Sequence, residues 1–450
     1  MNFIDEAKQI HILGIGGISL SALAVILLKQ GKKVTGYDSA ISPITQSLQA
    51  KGIKVVNQLD TNLIDQADIV VYTSALAKND VQLEHAIKQG KIILSRSELL
   101  GELTKKYFTI SIAGSHGKTT ASSMIGYMFF LAKKDPVIHV GGIMKNFGSN
   151  VRCGKGKFFI TEACEYKDSF LSLESDVGVV LNEDPDHLDY FKTKENYYKS
   201  FEKFAKNTKK SGVLVVNYDD PFSRRLKSRN VLSYALKSKA DVQARNVCSK
   251  NGVICFELFY LDLNFGLFKL NMIGLHNVYN ALAAIAVGIA CGIGLDLIKQ
   301  SLWQFAGVER RLEYIGKVKG GVVLHDYAHH PDEIIATIKA VKQNFQGRLI
   351  CIFQPHTFSR TRDLYYEFCR CFACCDEVWL LPIYSAREKP IPKITSKFLA
   401  KGVSKYNKTV RYFSNFEKCH AFINKIAQKD VVFLIMGAGD VSLLAYRFKK

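Results

Sequence analysis

The 450-residue chain is too long for one ordinary core, and roughly 100–200 residues per domain predicts two to four domains, with three as the working number. Apolar residues make up 48% and charged residues 23%, the composition of a globular protein, which excludes a disordered or fibrous chain. The 61 Lys+Arg against 41 Asp+Glu leave +20, but pairs such as Lys32-Lys33 and Lys209-Lys210 are scattered along the chain. That spacing describes a solvated basic surface, or an enzyme for polyanionic substrates, rather than an arm for nucleic acid.

Eleven cysteines without a secretion signal fit reduced thiols in a cytoplasmic protein. The cluster Cys369, Cys371, Cys374 and Cys375 lacks paired C-x2-C spacing and sits among Phe368, Phe372 and Trp379, so it reads as apolar packing rather than zinc. The uncharged run Ile10 to Leu28 could pass for a membrane span. Gly14, Gly16 and Gly17 interrupt it where a buried strand would turn into a helix, so no membrane segment is expected.

The first segment, to residue 105, alternates strand-like runs (Gln9–Leu13, Lys33–Tyr37, Lys54–Val56, Ile69–Tyr72, Lys91–Leu94) with helical stretches, the pattern of a parallel sheet. Glycines after the first strand let the backbone approach a phosphate at a helix N-terminus, so Gly14, Ile15, Gly16, Gly17 and Ser19 are candidates for a nucleotide diphosphate, with Asp38 where a ribose is held. Ser19 stands where the dinucleotide pattern has its third glycine, and a purely structural turn is the alternative.

The next segment, 106–308, opens with a strand at Tyr107–Ala113 and the turn Gly114, Ser115, His116, Gly117, Lys118, Thr119, Thr120. Glycines before a lysine at a strand-to-helix junction cradle phosphate oxygens with backbone N–H groups, the lysine neutralises charge, and a hydroxyl reaches magnesium. Strands Phe158–Cys164 and Val177–Leu181 end in Glu162-Ala-Cys-Glu165 and Asn182-Glu-Asp-Pro-Asp-His187-Leu-Asp189, carboxylates and a histidine that would converge on metal-bound phosphates. Taken alone, His187 is more often a hydrogen-bonded loop histidine than a ligand; the phosphate turn at Lys118 shifts the balance to ligand. Ala240–Met272 reads as antiparallel hairpins turning at Asn251-Gly252, and His276 with Asn280 lie one turn apart on an Ala-rich helix, where ordinary capping is the alternative.

After a link at Phe305–Glu313, the segment 309–450 repeats strands at Gly321–His325, Arg348–Phe353, Glu377–Leu381 and Val431–Met436. Three of them feed polar clusters: Asp326-Tyr327-Ala-His329-His330, His356-Thr-Phe-Ser-Arg360, and Gly437-Ala-Gly-Asp440. A third doubly wound domain follows, with substrates expected at those loops.

The motifs H-x-x-G-I-G-G, G-S-H-G-K-T-T, E-A-C-E-Y, D-H-L-D, H-N-V-Y-N-A, D-Y-A-H-H-P and F-Q-P-H-T-F-S-R-T-R, in this order, resemble the Mur ligase family over nearly the whole chain. The resemblance implies α/β architecture in three domains: a Rossmann-like UDP-binding domain, a central P-loop ATPase-like parallel sheet with a small antiparallel flank, and a Rossmann-like amino-acid-binding domain. Within the family the motifs look most like members that add L-alanine to UDP-N-acetylmuramate at the expense of ATP. By that resemblance Lys118 contacts ATP phosphates and Thr119, Glu162 and His187 hold magnesium, or manganese in its place. His276 and Asn280 face the adenine, Asp326 the ribose, and Arg310 or Arg311 the phosphates. Tyr327, His329, His356 and Arg360 surround the alanine and the reacting carboxylate, and a histidine titrating near neutrality, His329 or His356, takes the amine's proton.

Several relatives use a carbamylated lysine where this chain has Glu202 beside Lys203, so Glu202 is expected near the metal cluster. Domain closure is expected to protect an acyl phosphate from water. The chain is expected to act as monomer or homodimer, with neither nucleic acid nor membrane as partner. A ligase attaching a whole peptide to the same sugar, a nicotinamide-dependent oxidoreductase and a basic P-loop protein acting on nucleic acid are the competing readings.

Overall fold

The computed structural model describes residues 3–73, 76, 79–185, 187–250, 252–386 and 388–449. Asp186 of the histidine cluster and Asn251 of the hairpin turn lie outside the described residues. Three α/β sheets follow one another along the chain. The first contains β1 (Gln9–Leu13), β2 (Lys33–Tyr37), β3 (Lys54–Val56), β4 (Ile69–Tyr72) and β5 (Ile92–Ser95), all parallel, in the order β3-β2-β1-β4-β5. All five residues of β1 are buried, as expected for a strand covered on both faces, and the uncharged run continues into the helix Ile18–Lys29. Among the described residues no helix is long and apolar enough to cross a membrane.

The second sheet contains β6 (Phe108–Ala113), β7 (Val137–Met144), β8 (Ser149–Arg152), β9 (Phe158–Glu162), β10 (Ser175–Val180), β11 (Thr208–Asn217), β12 (Val231–Ala235), β13 (Val242–Lys250), β14 (Val253–Tyr260) and β15 (Leu263–Leu270). Their order is β15-β14-β13-β12-β11-β10-β6-β9-β7-β8, with β8 antiparallel to β7 and the pairings from β7 through β13 parallel. Four strands of this sheet carry no expectation from the sequence, β7, β8, β11 and β12; at β7 and β8 the glycines at 141 and 142 and the polar Lys145-Asn146 resemble a loop.

The third sheet contains β16 (Glu313–Val318), β17 (Gly321–Asp326), β18 (Arg348–Phe353), β19 (Glu377–Leu380), β20 (Val410–Tyr412) and β21 (Val431–Met436), in the order β16-β17-β21-β18-β19-β20. The predicted linker runs directly into β16, which pairs antiparallel with β17 at the sheet edge. The two strands the sequence reading lacked, β16 and β20, are the edges, where half the residues need not be apolar.

The chain divides into two compact units. One comprises Met1–Arg245, Glu257–Phe268 and Tyr279–Ala306; the other comprises Asn246–Phe256, Lys269–Val278 and Gly307–Lys450. In the first, one continuous core runs from Ile12 and Leu23 under the first sheet to Phe159, Phe170 and Phe201 under the second. In the second, Trp379 is fully buried, its ring 5.1 Å from Phe413 and 5.2 Å from Phe422, and its indole N–H donates to Glu377 at 2.8 Å. Trp379→Ala is expected to destabilise this unit by about 3–5 kcal/mol, because it opens a cavity and strips a buried carboxylate of a donor. A lowered urea midpoint with unchanged slope is the readout. Cys369, Cys371 and Cys375 are buried in the same unit's core with Phe368 and Phe372, the packing role expected of the cluster, but Cys374 departs from that expectation and is exposed.

Candidate active site

In the first unit, β6 ends at Ala113 and the helix Lys118–Leu131 begins at Lys118. Gly117 makes the junction with φ +86, and a side chain there would collide with the Asn280 amide. The turn is pinned from the exit of β10: His116 N–H donates to Asn182 Oδ1 at 2.8 Å, and Asn182 Nδ2 donates to His116 O at 3.1 Å. Ser115 Oγ lies 2.7 Å from the Tyr197 hydroxyl and donates to Asp184 O at 2.7 Å. Thr119 and Thr120 are buried in the first helical turn.

Lys118 Nζ donates to Ser115 O at 3.2 Å, to Gly114 O, and to Glu165 Oε2 at 2.8 Å. Burial pulls its pKa down, but Glu165, Cys164 and Glu162 outweigh that effect and hold it above the ordinary value. A buried ammonium thus stays charged above a helix N-terminus, where phosphate oxygens can exchange for the Glu165 carboxylate. Glu165 is 2% exposed and also lies 3.9 Å from His187 Nε2. The sequence places Glu165 among the carboxylates expected at metal-bound phosphates; its pairing with Lys118 is what the structure adds.

Glu162, at the end of β9, accepts the Gly141 N–H, and Thr119 supplies a hydroxyl at the helix start. No group of three or more His, Cys, Asp or Glu among the described residues forms a cage. One carboxylate, one hydroxyl and one imidazole nonetheless suit an ion that takes its remaining ligands from phosphates and water. Glu202 is exposed and lines a cavity of about 260 Å³ with Glu183, Tyr198 and Phe222; Thr119, Glu162 and His187 are not in that lining. Burial, followed by Asp220, pushes Glu183 up to about 8.

In the first sheet, Gly14 turns the chain with φ +82, and Gly14 and Ile15 N–H both donate to Tyr37 O, at 2.8 and 3.1 Å. Ile15 keeps its side chain in the core. Asp38 accepts the Gly16 N–H at 2.9 Å and the Ala40 N–H at 3.2 Å, so its carboxylate braces the glycine turn. Gly17 caps the helix Ile18–Lys29 without a side-chain bond, and Ser19 lies in its first turn.

The second unit gathers its own cluster. Tyr327 and His329 have ring centroids 5.4 Å apart, His329 and His356 5.8 Å apart, and Arg360 Nη1 lies 3.5 Å from His356 Nδ1. Arg310 and Arg311 lie 4.7 and 5.1 Å over the Tyr327 ring, and Arg310 also donates to Gly439 O at 3.0 Å. Asp326 is buried, accepting from Leu312 N–H at 2.7 Å and Ala328 N–H at 2.8 Å, and burial raises its pKa. His276 packs against Gly274 in this unit. Tyr384, which carried no sequence signal, stacks on His356 at 5.6 Å and accepts the Thr357 N–H at 2.8 Å. Thr357 itself sits at φ +68, a strained conformation for a β-branched residue at the entrance to Arg360's helix.

The expected near-neutral histidine is corrected by this packing. Burial first, then His329 and Arg360, push His356 down to about 4, and burial also lowers His329. Both imidazoles are neutral acceptors at pH 7 and weak bases. Three further buried imidazoles are pushed down chiefly by burial, His11 to about 4, His139 to about 3 and His325 to about 4. Their folded pKa values lie below the unfolded value, so the stability they contribute is complete above about pH 6.5 and is lost as pH falls toward 3–4. A fall in unfolding free energy between pH 6.5 and 4, of the order of 3 kcal/mol per imidazole, is expected in urea titrations.

Comparisons with known proteins agree with this geometry. Residues 9–108 match the model of the Mur ligase family catalytic domain, residues 112–288 that of the Mur ligase middle domain, and residues 310–439 that of the Mur ligase glutamate ligase domain. The UDP-N-acetylmuramate--L-alanine ligase of Clostridium kluyveri is 43% identical, with 96% of each chain covered. That of Caldanaerobacter subterraneus is 39% identical, with 99% of this chain and 98% of the relative covered. Among solved structures, UDP-N-acetylmuramate-alanine ligase from Thermotoga maritima superposes with a TM-score of 0.85 at 25% identity over 98% of both chains. Fold and site define an ATP-dependent ligase of three α/β domains. The chain belongs to the Mur ligase family.

Proposed function

We propose that this enzyme joins L-alanine to the lactyl carboxylate of UDP-N-acetylmuramate, converting ATP to ADP and phosphate, as a step in making peptidoglycan precursor. The observation that carries the reading is Lys118, a buried cation kept charged over a helix N-terminus, with Glu162, Glu165 and His187 beside it. The domains are drawn at 1–105, 106–308 and 309–450, binding sugar nucleotide, ATP and amino acid respectively. The protein would act in the cytoplasm, as monomer or homodimer.

The γ-phosphoryl group passes to the carboxylate, and Lys118 and the turn's N–H groups stabilise the spread negative charge. Thr119, Glu162 and His187 would hold magnesium, which supplies further neutralisation of the phosphates. The resulting acyl phosphate is attacked by the uncharged amine of alanine, expelling phosphate and forming the amide. Arg360 fits the alanine carboxylate, and His329 or His356, neutral at pH 7, can accept the amine's proton. Because both are weak bases, the rate is expected to rise with pH toward the pKa of the amine itself. A pH–rate profile flat from pH 6 to 9 would contradict that role.

Phosphate release with ATP and UDP-N-acetylmuramate, adding each amino acid in turn, tests the assignment. Alanine should give the highest kcat/KM. Preference for an alanine-headed tripeptide would move the enzyme to peptide attachment, and no release with any amine would end the reading.

A further inference from the structure

Ser19 brings a hydroxyl where the dinucleotide pattern has a glycine, and its partner lies far away in sequence. Ser19 Oγ is 2.9 Å from Nε2 of His139, a 3%-exposed residue of β7 in the second sheet. His139 Nδ1 is 2.8 Å from Thr161 Oγ1 on β9, and that hydroxyl donates to Glu162 O at 3.1 Å. Arg96, first residue of the helix Arg96–Thr104, donates from Nη1 to Ser19 Oγ at 3.3 Å.

The Thr161 hydroxyl sets the direction. Its single proton goes to Glu162 O, so it accepts from His139 Nδ1–H, and the neutral ring then presents a bare Nε2 to the Ser19 proton, while Ser19 accepts from the Arg96 guanidinium. Burial and Arg96 keep the ring neutral far below pH 7, so the direction does not reverse in ordinary buffers. A second strap acts in the same sense, Asn150 Nδ2 on β8 donating to Ile18 O. Both end at the first turn of the helix Ile18–Lys29, next to Gly14–Gly17.

We propose that Ser19 and His139 are a positioning pair that locks the glycine turn and Arg96 onto the strand carrying Glu162, and thereby sets the affinity for the sugar nucleotide's diphosphate. The inference rests on the sugar-nucleotide reading above. A helix N-terminus and a guanidinium attract an anion best where both are held still, and the pair supplies that restraint at the glycine turn of the first sheet. A serine merely filling space would need no buried imidazole with both ring nitrogens engaged.

Ser19→Ala, Ser19→Thr, His139→Phe and the double variant Ser19→Ala/His139→Phe, made in the full chain, test it by phosphate release. KM for UDP-N-acetylmuramate is expected to rise about tenfold in Ser19→Ala and His139→Phe, while KM for ATP stays within about twofold. Ser19→Thr should restore most of the affinity, and the double variant should be no worse than the poorer single one. Nitrogen-15 imidazole shifts of the wild-type protein should report a protonated Nδ1 and a bare Nε2 from pH 5 to 8. Equal rises in both KM values, additive effects, unchanged KM, or the opposite tautomer would each overturn the proposal. Failure of the functional reading looks different: wild-type protein would then show no turnover with UDP-N-acetylmuramate at all.

Discussion

Lys118→Ala should lower kcat for phosphate release by about 10³-fold, roughly 4 kcal/mol of lost transition-state stabilisation. The side chain is 14% exposed and lies 2.8 Å from Glu165, so its charge acts in a poorly screened site. Lys118→Arg should rescue little, because a planar fork cannot replace a point charge folded over the Gly114 and Ser115 carbonyls. The substitution also strands a buried carboxylate, and breaking a buried ion pair can cost about 3–5 kcal/mol. Unfolding curves and binding of UDP-N-acetylmuramate must therefore be measured on the same protein. Retained sugar-nucleotide binding with collapsed turnover would place the loss in the chemistry. Near-normal turnover of Lys118→Ala would remove the basis of the proposed function.

Arg360→Ala is expected to lower kcat/KM for alanine by roughly 10–100-fold, the worth of a charge-assisted hydrogen bond of about 1.5–3 kcal/mol, with KM for ATP little changed. It should also move His356. Arg360 is one of the cations that, after burial, hold that imidazole near 4, so removing it should raise the His356 pKa toward its ordinary value. Proton NMR titration of His356 reads this directly, and a pKa that stays put would mean Arg360 faces elsewhere. Thr357, strained at φ +68 ahead of Arg360, gives a reason for the side chain's fixed aim.

Unlike β7, β11, β12 and β20, the parallel strands of the first sheet and those that feed the two clusters were legible, because each is a short apolar run ending in glycine or polar residues. Lys118, Glu162 and His187 could be found that way. Tyr384 could not: its approach to His356 comes from the pairing of Thr357 N–H with its carbonyl, between residues on separate loops. The histidine pKa values were also out of reach, because burial sets them and burial is collective.

By itself the amino-acid order determined three α/β segments and the phosphate turn at Gly114–Thr120, since these depend on local periodicity and on glycine and lysine spacing; the ligase chemistry was implied by the resemblance of the ordered motifs to the Mur ligase family. The tertiary structure alone decided which partners those residues take: Glu165 on Lys118, Asp38 on the glycine turn, His139 on Ser19. The reason is physical. A hydrogen bond between side chains 47 or 120 residues apart exists only once sheets have packed and water has been excluded, and nothing in the local sequence records it.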